Sequence, residues 1–333
     1  MSHVAQVRAS VLIPFVALLR ERDVRVDELL ADVGLPATVL ADPERPLPYP
    51  LVCQLIHAAS RRTGLPDFGL LVGASTPFES LGAFGTLVTG SRNLHDALFG
   101  AVRLFPWFRT GARVWLEIEP DRIWLRHVDS RRAGVGEIEA EQFTVMMMLQ
   151  LVRLAGASAT RIDLRASWRA GLDRCEALSG ARITVGRPTT GVAIPRRFLH
   201  RALDAPRVAP RSLAQLERRL RATAPASDFV DSVRQAIGAL LEGRYPDIRR
   251  SARALGMSVR TFQRRLAQSG VSYSALIDRE RHDRALRLLH DRAVKVTEVA
   301  IELGYTDLAN FTHAFRRWTG VSPREFRRLE LGT

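Results

Sequence analysis

The spacing of apolar positions changes regime along the chain. Between residues 5 and 72 it is helical and broken by loops: Val24, Val26, Leu29, Leu30 and Val33 form one stripe that stops at Gly34. A proline-rich connector over 43–50 precedes a second stripe over 51–62, and Gly64 and Pro66 punctuate the next step. A helix is predicted over 94–105. Residues 112–118 and 122–128 then alternate apolar and polar side chains around Glu119-Pro120-Asp121, which predicts a hairpin. Helical spacing returns over 137–155. Short strands are expected at 161–164, 183–185 and 192–194, and a short helix at 173–179. Such mixing predicts an α+β domain over 1–205. Residues 206–227 are rich in Ala, Pro and Arg around one helix at 212–221 and read as a linker. From 228 to 333 only helical runs punctuated by glycine remain, so this last part is expected to be an all-α domain.

Composition narrows the function classes. The 333 residues are 46% hydrophobic and 25% charged, which excludes a disordered or fibrous chain. The formal charge is +14, and Lys295 is the single lysine among 49 basic residues. Residues 1–195 hold 22 basic and 20 acidic side chains, a net of +2. Residues 196–333 hold 27 and 15, a net of +12. An excess confined to one part points to a polyanionic partner there. Cys53 and Cys175 are far apart, with no CxxC or dense Cys/His spacing, so neither a disulfide framework nor a zinc site is expected. The apolar run 11–19 after Arg8 is short, carries Pro14 and ends in four charged residues. It reads as an amphipathic helix rather than a signal peptide, and a cytoplasmic protein without membrane contact is expected.

The last hundred residues contain an internal repeat at an offset of 48–50. Ala254-Leu255-Gly256-Met257-Ser258 is echoed by Glu302-Leu303-Gly304-Tyr305-Thr306. Phe262 and Leu266 are echoed by Phe311 and Phe315, and Gly270-Val271-Ser272-Tyr273 by Gly320-Val321-Ser322-Pro323. Each unit reads as short helix, glycine turn, second helix and glycine stop, a helix-turn-helix. In the first copy Ser258 is placed to cap the second helix, Phe262 and Leu266 share the inward face, and Arg260, Gln263 and Arg264 share another. Arg suits guanine and Gln suits adenine in a major groove. In the second copy Phe311, Phe315 and Trp318 form the core stripe. Asn310 and His313 lead the exposed stripe, with Leu308 and Ala309 near the helix start for thymine methyl contact. Arg316, Arg317, Arg324, Arg327 and Arg328 are better suited to phosphates. An uninterrupted helix over 273–292, about 30 Å long, joins the copies, close to the ~34 Å of one DNA turn.

Residues 228–330 resemble the DNA-binding domain of the AraC/XylS family of bacterial transcription regulators. The resemblance rests on Val299-Ala300, Gly304-Tyr305, Asn310-Phe311, Phe315-Arg316-Arg317 and Gly320-Val321-Ser322-Pro323-Arg324-Glu325-Phe326-Arg327. It implies reading helices at 258–268 and about 307–318. The base-facing positions then fall on Arg260, Thr261, Gln263 and Arg264, and on Leu308, Ala309, Asn310, Thr312 and His313. RNA polymerase is a further expected partner, whether the protein activates or represses. The amino-terminal half resembles the effector domain of the ornithine-utilisation-regulator-like branch, through Gly34-Leu35-Pro36, Asp42-Pro43, 64–70, Gly82-Ala83-Phe84-Gly85 and Ile194-Pro195. That branch implies an α+β regulatory domain in place of the cupin barrel of sugar-responsive members.

The expected function is a sequence-specific DNA-binding transcription regulator: an α+β effector domain followed by an all-α double helix-turn-helix domain. Its partners would be an operator in double-stranded DNA, a small organic effector and, through isologous pairing, a second copy. For the effector, Phe84, Phe105, Trp107 and Phe108 form part of an aromatic cluster flanked by Arg103 and Arg109, and both a pocket and ordinary core packing fit it. No catalytic motif and no cofactor signature is present. No GxGxxG or Walker pattern accompanies Gly73, Gly82, Gly85 and Gly90, the alternating Glu137, Glu139 and Glu141 read as a solvated face, and His57, His95, His127 and His200 read as structural. Met146, Met147 and Met148 read as helix core. Two alternatives stay open: an enzyme domain fused to a DNA-binding tail, and an architectural DNA binder without an effector.

Overall fold

The computed structural model describes residues 3–130, 134–168, 171–173, 175–205, 209–240 and 247–331. The chain forms two compact units, Met1–Asp228 and Phe229–Thr333. In the first, β1 (Gln6–Arg8) leads to α1 (Ile13–Glu21) and α2 (Val26–Val33), then β2 (Pro46–Pro48), α3 (Tyr49–Thr63), α4 (Phe68–Ser75), α5 (Ala83–Thr89) and α6 (Leu94–Phe108). The hairpin β3 (Ala112–Ile118) and β4 (Arg122–Asp129) follows, then α7 (Glu137–Arg153), β5 (Arg161–Asp163), β6 (Arg182–Thr184), β7 (Thr190–Pro195) and α8 (Pro210–Ala222). The strands β3-β4-β7-β5-β6 form one sheet, antiparallel except for the β5–β6 pair, and the predicted hairpin is in register from Ala112↔Asp129 to Ile118↔Ile123.

Helix α7 is the centre of this unit. It lies against β7 and against α3 and α4. Close approach to α4 depends on two glycines one turn apart. A Cβ at Gly69 would sit 2.1 Å from the Glu139 carbonyl oxygen, and one at Gly73 2.4 Å from the Met146 Cβ. With neighbours on several sides, α7 has no solvated acidic face, contrary to the reading of its alternating glutamates. Glu139 pairs with His57 Nδ1 at 2.9 Å, and Glu141 accepts from the Arg165 and Ala166 amides, Trp168 Nε1 and the Thr190 hydroxyl. The carboxylate of Glu141 thus satisfies groups on the loop after β5 and at the start of β7, which no local pattern announces.

Three other features depart from the expected elements. β1 and β2 pair antiparallel within the region read as helices, with the prolines of β2 tolerated because the ribbon has only two strands. Helix α6 runs through Pro106 to Phe108, and the Arg109 amide still reaches the Phe105 carbonyl at 2.9 Å. Over 173–179 only the turn Glu176–Leu178 is helical, and Arg174 lies outside the described residues.

Residues 209–227 do not form a free linker. Residues 206–208 lie outside the described residues. α8 packs on α5 and α6, with Leu220 fully buried and Arg103 paired to Glu217 at 2.5 Å. Its Ala, Pro and Arg composition reflects a largely exposed helix with one seated edge. That edge is fixed by Arg8, itself fully buried. The Arg8 guanidinium donates to the Trp107 carbonyl at 2.8 Å, the Glu44 carbonyl at 2.7 Å, the Glu44 carboxylate at 2.8 Å, the Thr223 hydroxyl at 2.9 Å and the Leu220 carbonyl. Burial pulls its pKa down while the Glu44 carboxylate opposes that pull.

The second unit holds α9 (Phe229–Ala239), α10 (Ile248–Ala254), α11 (Val259–Gln268), α12 (Tyr273–His290), α13 (Val296–Glu302), α14 (Leu308–Thr319) and α15 (Pro323–Leu331). Residues 241–246 lie outside the described residues. Phe262 and Leu266 of α11 are buried, with the Phe262 ring 6.4 Å from Phe229 and 5.8 Å from Tyr273. Around α14, Phe311 and Phe315 are fully buried among Leu289, Val299, Ala300 and Leu303. Trp318 and Phe326 close the cluster, their rings 6.4 and 5.5 Å from Phe315.

Candidate nucleic-acid interface and effector cavity

The two helix pairs α10–α11 and α13–α14 share their turns bond for bond. The Gly256 amide donates to Arg253 O at 3.0 Å and Met257 to Ala252 O at 2.9 Å. Gly304 donates to Ile301 O at 2.9 Å and Tyr305 to Ala300 O at 3.0 Å. Gly256 and Gly304 have φ of 65° and 74°, a left-handed conformation that glycine adopts without a steric penalty. Each second helix is then capped by a side chain: Ser258 Oγ accepts from Thr261 N at 3.2 Å, and Asp307 Oδ1 from Asn310 N at 2.7 Å. The two units thus share their turn bonds and a side-chain cap, although the cap falls two residues after the glycine in the first copy and three after it in the second, and α12, with 18 residues or about 27 Å, joins them.

On α11, Arg260, Gln263 and Arg264 are exposed, opposite the buried Phe262 and Leu266, and the Thr261 hydroxyl is held by Ser258 at 2.9 Å. On α14, Ala309, Asn310 and His313 are exposed, and Asn310 Nδ2 donates to Asp307 Oδ2 at 2.7 Å. Thr312 is half-buried and donates back to the Leu308 carbonyl at 2.8 Å, while the Leu308 side chain packs toward the α14 core. Among the arginines, Arg316, Arg317, Arg324 and Arg328 are exposed, with Arg317 paired to Asp278 at 2.8 Å. Arg327 differs. Its guanidinium binds the carbonyls of Leu289 at 3.1 Å, Asp291 at 3.2 Å and Val294 at 2.8 Å, so it braces the end of α12.

The first unit contains an apolar cavity of about 100 Å³ between α6, α7 and the sheet, lined in part by Phe84, Phe105, Phe108, Met147 and Leu125. Phe84 and Phe108 stack at 4.6 Å. Arg109, at the end of α6, also lines it. Arg103 and Trp107 do not, although the aromatic cluster suggested it. Ala101, Phe105 and Phe108 follow one stripe of α6, whereas Arg103 and Trp107, one turn apart, lie on another. Arg103 reaches Glu217 of α8, and Trp107 lies under the Arg221 guanidinium at 5.8 Å. Met147 and Met148 line the cavity while Met146 packs on α4, so the methionine run is both core and cavity wall.

The polar end of the cavity holds Arg109, Tyr49 and His127. Arg109 is buried, lies 3.6 Å over the Tyr49 ring and pairs with Asp129, yet its Nε has no hydrogen-bond partner. His127 is buried with Nε2 unpartnered and lines a second, polar cavity of about 320 Å³ with Asp129, Glu141 and Arg165. Burial lowers its pKa from 6.5 to about 4. Asp129 opposes that fall and Arg109 and Arg165 add to it, so the ring is neutral at pH 7. Sequence reasoning passed over His127 as structural, although the alternation of β4 sets it on one face with Ile123 and Leu125. Burial also pushes the Cys53 thiol up to about 12, which keeps it protonated and unreactive.

The depressed imidazole has a consequence for stability. The folded protein takes up its proton less readily than the unfolded chain, so this contribution is complete above pH 6.5 and is lost as pH falls toward 4. At 1.36 kcal/mol per pH unit, the loss amounts to about 3 kcal/mol. Denaturant unfolding of wild type and His127→Gln at pH 7 and pH 4 should show a smaller acid loss in the variant. An equal loss would remove His127 as its cause.

No group of three His, Cys, Asp or Glu side chains among the described residues is arranged to hold a metal ion. Among them, no helix is long and apolar enough to cross a membrane.

Comparison with known proteins agrees with this architecture. Residues 24–203 match the family model for the arabinose-binding amino-terminal domain of AraC transcription regulators, and residues 251–329 a helix-turn-helix domain model. The chain is 26% identical over 325 residues to the ornithine utilization regulator of Pseudomonas aeruginosa, covering 90% of this chain and 93% of that protein. It is 26% identical over 288 residues to the regulator VirS of Mycobacterium tuberculosis, covering 82% of each. To the regulator VqsM of P. aeruginosa it is 42% identical over 98 residues, 28% of this chain and 30% of that one. With the amino-terminal family model spanning more than half its length and paired helix-turn-helix units behind it, the chain belongs to the AraC family of transcription regulators.

Proposed function

We propose that the protein binds an operator through both reading helices and that a small molecule in the α6–α7 cavity controls the binding. The observation that carries this reading is the duplicated turn-and-cap geometry, which leaves a polar, basic face exposed on α11 and its counterpart on α14. Arg260, Gln263 and Arg264 read base edges, with Thr261 beside them. Asn310 and His313 do so on α14, with Ala309 toward a thymine methyl and with smaller shares for the half-buried Leu308 and Thr312. Arg316, Arg317, Arg324 and Arg328 hold phosphates, and Arg327 supports them by fixing the end of α12. The effector shifts DNA binding only so far as it binds the two states of the protein with different affinity. Two copies pair on repeated half-sites and the complex recruits RNA polymerase. The protein works in the cytoplasm as a regulator rather than an enzyme, in keeping with the regulators to which it is similar.

Two substitutions separate reading from holding. Arg264→Ala should cost about 1–3 kcal/mol on the operator and relax preference at one base pair, measured by binding to single-base operator variants. A loss spread evenly over all sequences would contradict a reading role. Arg316→Ala should weaken all sequences alike and lower the salt slope by about one unit. An unchanged slope would take Arg316 out of the phosphate set.

A further inference from the structure

The cavity of the first unit has a narrow chemical signature. Its walls are almost entirely hydrocarbon and aromatic. Its volume of about 100 Å³, below the roughly 150 Å³ of an apolar cavity that accepts benzene, limits a ligand to one ring at most. Two polar atoms are buried without partners on side chains that line it: Nε of Arg109, which can only donate, and Nε2 of His127. Arg109 is 6% exposed and His127 5%, so bulk water does not satisfy them. Buried, unpaired polar atoms are rare and costly, and they mark a place where a ligand atom improves the balance.

Charge settles which atom fits. The Arg109 cation is matched by Asp129, and among the described residues no further cation lines the cavity. A ligand carboxylate would therefore enter an apolar site whose one guanidinium is already paired, and an ammonium would meet a donor at Arg109. A hydroxyl has one hydrogen to give and lone pairs to receive. It can accept from Arg109 Nε–H while donating to an imidazole lone pair, and the reverse polarity at the imidazole also suits it. Ketones and ethers serve both atoms only when the imidazole carries its proton on Nε2, whereas a hydroxyl suits either tautomer, and pure hydrocarbons leave both atoms unpaired.

We propose that the cavity takes a small uncharged molecule with one apolar ring and a hydroxyl group, the ring against Phe105 and Phe108 and the hydroxyl between Arg109 and His127. The proposal rests on reading this cavity as the effector site. Three aromatic probes of one size test it on the full-length chain: phenol, toluene and benzoate, with affinity measured by calorimetry. Phenol should bind about three- to tenfold more tightly than toluene, the range of a buried hydrogen bond, and benzoate weakest. In His127→Phe the phenol advantage over toluene should fall to within about twofold. If that variant fails to fold, nitrogen NMR of wild type decides: phenol but not toluene should shift the His127 imidazole resonance. Benzoate binding most tightly would overturn the ligand class and leave the cavity as the effector site. Phenol and toluene binding equally would do the same. No detectable binding of any probe, with no imidazole shift, would overturn the class and the cavity reading together.

Discussion

Phe315→Ala should lower the stability of the second unit by about 3–5 kcal/mol and abolish operator binding at growth temperature. The ring is fully buried and meets Phe311 at 5.7 Å, Phe326 at 5.5 Å and Trp318 at 6.4 Å, on α14 and α15. Removing it opens a void where those two helices and the end of α12 meet, and neighbouring aromatic rings cannot collapse into it without leaving their rotamers. The loss should reach DNA binding because the proposed reading face of α14 lies on the side opposite this ring. Phe315→Leu keeps much of the volume and should cost less than half as much. Thermal unfolding followed by circular dichroism, with operator binding on the same samples, checks both. A variant that melts like wild type would mean that the cluster does not hold α14.

Arg8→Ala should destabilise the first unit by about 3–5 kcal/mol. The cost lies less in the lost bonds than in what remains: the Glu44 carboxylate without its cation, and the Leu220 and Trp107 carbonyls without a donor. Glu44 retains the Ala83 amide at 2.8 Å, which tempers the effect. Arg8→Lys keeps the charge but cannot serve partners in so many directions from one ammonium, so it should fall between wild type and Ala. Urea unfolding of the three proteins gives the order. Equal stability of Arg8→Ala and wild type would show that the buried guanidinium contributes nothing net, as some buried ion pairs do.

The helix-turn-helix units could be read from sequence because what makes them is local. Gly256 and Gly304, the caps Ser258 and Asp307 and the stripes Phe262–Leu266 and Phe311–Phe315 all act within a few residues. The β3–β4 hairpin was legible for the same reason, its period of two running on both sides of Glu119-Pro120-Asp121. What stayed hidden depends on distant partners. Arg8 looks like a charge before an apolar run until Leu220 and Thr223 arrive beside it. Glu141 looks solvated until the loop after β5 and the start of β7 present donors to it. The cavity was half legible: the aromatic residues of α6 were visible, but which of them turn inward depends on α8 covering Arg103 and Trp107. The alternation of β4 sets His127 on the apolar face with Ile123 and Leu125, but a lone histidine there has no local partner to reveal that its Nε2 goes unpaired.

The seating of α8 on the first unit decides where this protein can be cut. A truncation after residue 205, where the composition shifts, removes the surface that caps α5 and α6 and leaves the buried Arg8 guanidinium without its Leu220 and Thr223 acceptors. A nascent chain meets the same condition on the ribosome: Arg8 is made more than two hundred residues before Leu220 and Thr223, and its guanidinium lacks those acceptors until α8 has emerged. Vectorial synthesis thus brings those acceptors out immediately before the first helix of the DNA-binding half.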